Sequence, residues 1–257
     1  MEEVHTSIND NPLIEKSLLN TKKATVAIVI PDPKAESLAF HFGTGFFVSR
    51  DGYLVTARHV IVDETTGKQY ASSTIELEKP EEMFSSIGKI SSIVKDWPEF
   101  DLALLKVDFN KETGALRGKT EPDFLQVDFE VAPEGVEAYS FGYPLPEVKV
   151  LMKNEQVTTV GNVYCPRATS MIISSHYAFV KPMRKHSLPF PRHYVVDKAL
   201  NPGNSGGPIV LQETGKAIAV CLAFQYFDFP ETQVKVPSLY GITSSLKNIE
   251  DELSKVI

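Results

Sequence analysis

Cysteine is scarce in this sequence, with Cys165 and Cys221 alone among 257 residues. Neither has a partner at metal-ligand spacing, and two thiols are too few for a disulfide framework. They read as buried free thiols in a reducing compartment. No stretch approaches the ~18 consecutive apolar residues of a membrane helix. The first twenty residues, MEEVHTSINDNPLIEKSLLN, have neither the basic start nor the apolar run of a secretory leader. Positive charge is also short, since 26 Lys and Arg stand against 33 Asp and Glu, a net charge of −7. Non-specific nucleic-acid binding needs a basic surface that this balance does not provide. These absences predict a cytoplasmic protein with no membrane and no nucleic-acid partner.

What remains is core and turns. The hydrophobic fraction is 42%, ample for one large domain or two small ones. The dominant pattern is short β-type runs between turn residues: ATVAIVI (24–30), DLALLKVDF (101–109), GVEAYSFGY (135–143), EQVTTVGNVYC (155–165) and HYVVD (193–197). GTGFFVSRDGYLVTARHVI (43–61) holds two apolar runs around Asp51-Gly52, a strong hairpin signal. GPIVLQETGKAIAVCLAF (207–224) is a second pair, joined at Gly215. Only the ends of the chain look helical; in SSLKNIEDELSKVI (244–257) a serine cap precedes the stripe Leu246, Ile249, Leu253, Val256. Many short strands with a late helix predict an all-β fold. The polar stretch 110–134 is the natural connection between two β units.

The stretch NPGNSGGPIV (201–210) places three glycines and two prolines around one serine. Several glycines together mark backbone that other residues cannot adopt, or a close approach by something else. A serine hydroxyl becomes a nucleophile only with a base, a group orienting that base, and donors for the oxyanion that forms. Ser205 fills the first role, with the backbone N–H groups of Gly203, Asn204 and Ser205 as the oxyanion donors. The base is His59, at the end of LVTARHVI, and the orienting acid is Asp101, which opens an apolar strand. A buried acid there needs a partner. The chain order His59, Asp101, Ser205 is one of three known orders for such a triad.

These three motifs resemble the trypsin/chymotrypsin superfamily, and most closely its HtrA-type bacterial branch. GTGFFVSRDGYLVTARHVI is similar to the histidine motif, DLALLKV to the aspartate motif and NPGNSGGPIV to the serine motif; GYP (142–144) and VTTVGNV (157–163) add to the likeness. The resemblance implies two six-stranded antiparallel β-barrels of chymotrypsin type with a C-terminal helix. The corresponding layout is an N-terminal extension 1–21, a first barrel 22–115, a linker 116–134, a second barrel 135–243 and the helix 244–257. It also implies serine endopeptidase activity on protein or peptide substrates, with no cofactor and no metal.

Three departures refine that expectation. Asn204 stands where digestive relatives carry an aspartate that pairs with a newly cut N-terminus, so activation by N-terminal cleavage is not expected. The sequence shows neither the secretion signal nor the PDZ domain usual in the HtrA branch. The segment 164–196 is long and locally basic, with Lys181, Arg184, Lys185 and Arg192 among His176, His186 and His193, and reads as a regulatory or substrate-docking loop. By the family's layout Ala199 lies at the floor of the P1 pocket, with Ala223 and Phe224 on its wall. A neutral floor disfavours a charged P1 residue, which predicts small or medium apolar P1 side chains. Arg58, next to the base, reads as solvent-facing. Two alternatives stand beside an active protease: a latent enzyme awaiting an activating partner, and an inactive protease-fold binding module.

Overall fold

The structure is a computed structural model that describes residues 12–31, 40–70, 76–78, 86–109, 121–144, 147–153, 156–163, 165–177, 193–229 and 234–257. Fourteen strands among these residues carry the fold. Six of them, β1 (Thr25–Pro31), β2 (Phe40–Phe47), β3 (Tyr53–Ala57), β4 (Glu76–Glu78), β5 (Ser86–Trp97) and β6 (Leu102–Phe109), close a barrel in the order β1-β2-β3-β6-β5-β4. The turn between β2 and β3 forms where Asp51-Gly52 predicts it. Gly52 takes φ +85°, and Val48 N–H donates to Tyr53 O at 2.9 Å. Strand β1 is one near-continuous apolar run because both of its faces are covered.

The second half holds β7 (Glu137–Gly142), β10 (Arg167–Tyr177), β11 (His193–Val196), β12 (Pro208–Leu211), β13 (Ala217–Phe229) and β14 (Val234–Ser245). These pair antiparallel around the ring β10-β11-β14-β13-β12-β7. Strands β8 (Glu147–Lys153) and β9 (Gln156–Val163) form a separate two-stranded sheet.

Two helices tie the halves together. The C-terminal segment is helical as its stripe predicts, although shorter: a 3-10 turn at Leu246–Ile249 runs into α2 (Glu250–Leu253). Ser245 caps it by accepting the Lys247 N–H, and Leu246, Ile249 and Leu253 are buried in a cluster with Leu102, Leu104 and Trp97. The end of the second half thus packs on the first barrel. The opposite terminus differs from the sequence reading, which leaves residues 1–21 as an extension. Residues Pro12–Ala24 form helix α1, running directly into β1. Its inner face mixes apolar and polar groups: Ala24 is buried and Leu18 packs against the core, while Ser17 and Thr21 share the hydroxyl of Tyr139 on β7, at 2.6 and 2.9 Å. The hydroxyls of Ser17 and Thr21 interrupt the hydrophobic periodicity of this helix. Lys181, Arg184, Lys185, His186 and Arg192 of the proposed basic loop lie outside the described residues, and the two ends of 164–196 belong to strands β10 and β11.

Candidate active site

The site forms where the end of β3 meets the loop before β12. After Ala57 the chain turns into a single 3-10 turn, Arg58–Val60, which swings His59 out of the strand. Asp101 sits at the start of β6 with φ +54°, the one non-glycine residue in the left-handed region among those described. Such backbone is sparsely populated for side chains other than Asn, Asp and Gly. It turns the carboxylate back on His59 at two points. Oδ1 accepts the His59 backbone N–H at 2.9 Å, and Oδ2 meets the imidazole Nδ1 at 2.6 Å. A carboxylate accepts, so Nδ1 carries the proton and Nε2 of the neutral ring is left with its lone pair. Asp101 O also accepts Arg58 N–H, at 2.9 Å.

Burial pushes the His59 pKa down, but the hydrogen bond and charge of Asp101 and the charge of Glu64 outweigh it, and the pKa is raised above 6.5. His59, Asp101 and Glu64 are the one trio among the described residues whose ligating atoms lie within 4.8 Å of one another. Two ligands on a tetrahedral zinc stand about 3.3 Å apart. The His59–Asp101 pair is closer than that and is used as a hydrogen bond.

The serine lies in a turn that the glycines make possible. Asn201–Asn204 closes with Asn204 N–H donating to Asn201 O at 3.0 Å, and Gly203 takes φ +94°. With Pro202 and Gly203 as its central pair, this is a type II turn. Neither the Gly203 N–H nor the Ser205 N–H has a partner among the described residues. Both remain available to an incoming oxygen. The Asn204 N–H does not, since the turn uses it, which removes Asn204 from the three donors the sequence suggests. Gly206, at φ +89°, abuts Thr44, Thr56 and the Ala57 backbone, and any Cβ there would overlap them. This close approach brings the serine turn against the strand end that carries His59.

The turn carrying Ser205 thus abuts the strand end that leads to His59, and Asp101 is bonded to His59. Ser205 Oγ donates to Leu222 O at 2.8 Å, a partner that no sequence signal marks. Ala199 is half-buried, and its neighbour Leu200 is buried against Gly241 of β14. Ala223 and Phe224 lie on β13, opposite Ile242 and Gly241. Arg58 faces Asp96 rather than solvent, with Nε 2.5 Å from Oδ2.

A model of the trypsin-like peptidase domain matches residues 43–220. The chain belongs to that family. Within it, the likeness is to the HtrA branch of serine proteases. A probable periplasmic serine endoprotease, DegP-like, from Chlamydia trachomatis is 29% identical over 178 residues, which cover 69% of this chain and 27% of that one. Its counterpart from Rhizobium meliloti is 28% identical over 216 residues, 83% of this chain and 33% of that one. The chain thus spans about a quarter to a third of the curated relatives it matches. Among solved structures, the Rv3671c protease of M. tuberculosis in its active form gives a TM-score of 0.62 at 18% identity, covering 96% of this chain and 87% of that one. A serine endoprotease from Yersinia pestis gives 0.57 at 18% identity, covering 95% and 66%. Both share the fold.

Proposed function

We propose that this chain is a serine endopeptidase that hydrolyses protein peptide bonds through Ser205, His59 and Asp101. The observation that carries the reading is the two-point hold of Asp101 on His59, which fixes the tautomer a general base needs. Ser205 Oγ attacks the scissile carbonyl carbon while His59 Nε2 takes its proton. The Gly203 and Ser205 N–H groups receive the oxyanion. His59 returns the proton to the leaving amine, leaving an acyl-enzyme that water hydrolyses by the same base. The neutral Ala199 and the buried Leu200 support a small or medium apolar P1 residue, read by a wall that includes Ala223 and Phe224.

The Ser205–Leu222 hydrogen bond favours one second reading, a resting enzyme whose nucleophile turns to His59 only when a substrate or an activating partner binds. Labelling with a fluorophosphonate probe tests both. Labelling of the wild type but not of Ser205→Ala supports the protease assignment with a competent resting site. Labelling that appears only after an apolar peptide is added supports the latent form. No labelling under either condition points to a binding module. We also place the chain in the cytoplasm, on the strength of its two free cysteines, although the DegP-like relatives carry "periplasmic" in their names. Cell fractionation decides between the two.

A further inference from the structure

We propose that Thr44 is the positioning residue of the oxyanion turn, bracing it from the first barrel. The inference rests on the protease reading and adds a residue to it. Thr44 lies on β2, is wholly buried, and binds the serine turn twice. Its backbone N–H donates to Ser205 O at 2.8 Å, and its Oγ1 donates to Gly203 O at 2.6 Å. The same Oγ1 accepts the Tyr143 N–H at 3.1 Å. These directions are forced, because a carbonyl only accepts and an amide N–H only donates. One hydroxyl proton and one lone pair are both used.

The consequence falls on one peptide unit. The Gly203–Asn204 peptide is held by its N–H on Asn201 O and by its carbonyl on Thr44 Oγ1. It is the rigid neighbour of the Gly203 N–H that faces the oxyanion. Donors aimed at developing charge act through placement, and a small displacement is costly.

A second observation concerns the glycines. A Cβ on Gly142 would come within 3.2 Å of Thr44 Oγ1, one on Gly207 within 3.3 Å of Thr44 Cγ2, and one on Gly206 would overlap Thr44 O. Thr44 itself excludes a Cβ on Gly206, while on Gly142 and Gly207 a Cβ would meet Asn204 Oδ1 and Phe141 O first, each at 2.7 Å, with Thr44 beyond. Gly206 thus serves this brace as well as the serine.

The test compares Thr44→Val, which keeps the shape and removes the hydroxyl, with Thr44→Ser, which keeps the hydroxyl. Thr44→Val is expected to lower kcat about 10-fold to 100-fold, short of the loss from deleting an oxyanion donor outright, with KM little changed. Thr44→Ser should stay within about 3-fold of wild type. Thr44→Ala stands in if valine prevents folding, and each variant is assayed only after a cooperative melt shows it folded. A parallel NMR measurement follows exchange of the Asn204 amide in the Ser205→Ala background, where turnover plays no part. That exchange should speed up in Thr44→Val and not in Thr44→Ser. Folded Thr44→Val with kcat within about 2-fold of wild type overturns the proposal, as does Thr44→Ser impaired as severely as Thr44→Val. A wild type inactive on every peptide would count against the protease reading instead, while the Asn204 exchange still reports on the brace.

Discussion

Ser205 Oγ donates to the carbonyl oxygen of Leu222, 2.8 Å away on β13, and not to His59. The Ser205 hydroxyl of the free protein is thus held by the strand that continues into Ala223 and Phe224, the residues proposed above for the substrate wall. A single neutral hydrogen bond contributes about 1 kcal/mol. The reaction asks far more of the same oxygen. Ser205→Ala is therefore expected to unfold in urea within about 1 kcal/mol of wild type. It should lose on the order of 10⁶ in kcat, roughly 8 kcal/mol of transition-state stabilisation. A stability loss of several kcal/mol would mean the hydroxyl is a structural group first.

The charge of Glu64 reaches the His59 imidazole and adds to the larger effect of Asp101, which sets the direction of the pH dependence. The folded His59 pKa lies above 6.5, with burial opposing the rise and Asp101 and Glu64 driving it. Catalysis needs the neutral ring, so kcat/KM should climb with pH through a midpoint above 6.5. Stability runs the other way: the His59⁺–Asp101 pairing contributes fully below the unfolded pKa near 6.5 and fades as pH rises through the folded value. Glu64→Gln removes one of the raising charges. Its kcat/KM profile should shift to lower pH, while the plateau at high pH stays near wild type. An unchanged midpoint would show that solvent screens Glu64 from the ring.

The motifs were legible in the sequence because chemistry dictated residue type. His59, Asp101 and Ser205 could be named in order, and Asp51-Gly52 marked its hairpin. The Asn204 donor could not be judged, because whether an N–H is free depends on how the turn closes on Asn201. Helix α1 had no bounds in the sequence reading, because the hydroxyls of Ser17 and Thr21, bonded to Tyr139, interrupt the apolar face made by Leu18 and Ala24. The Arg58–Asp96 pair spans 38 residues and leaves no local signal, so Arg58 read as exposed. Thr44 was invisible for a related reason. A threonine in a strand is ordinary, and only the contacts across the two halves give it a role.

Burial separates the two cysteines. Cys221 is enclosed on β13 with Sγ 3.1 Å from Ser140 Oγ, and burial pushes its pKa up to about 12. Cys165 is half-buried. A thiol reacts as its thiolate, so a buried one of such high pKa is inert near neutral pH. Ellman's reagent at pH 8 should therefore titrate one thiol in the native protein and two in guanidinium. Two fast thiols in the native state would mean the second half opens readily around β13.

Asn204 is buried beside the nucleophile, and its Oδ1 has no hydrogen-bond partner among the described residues. An aspartate there would place a charge where an amide already lacks a partner. Its folded pKa would rise above the ordinary 3.9, and each unit of rise costs 1.36 kcal/mol once the pH exceeds both values. For a rise of 2–3 units, Asn204→Asp should be destabilised by about 3–4 kcal/mol at pH 8. Near pH 4 the penalty should fall to about 0.5 kcal/mol, because the carboxyl is then protonated in the folded state and only about half ionised in the unfolded one. The sign is opposite to that of a salt-bridged aspartate, whose contribution grows with pH. Urea unfolding of variant and parent at the two pH values measures the difference directly. A penalty that is the same at both pH values would show that the site accepts the charge, and with it that a cation or water reaches the oxyanion turn from behind.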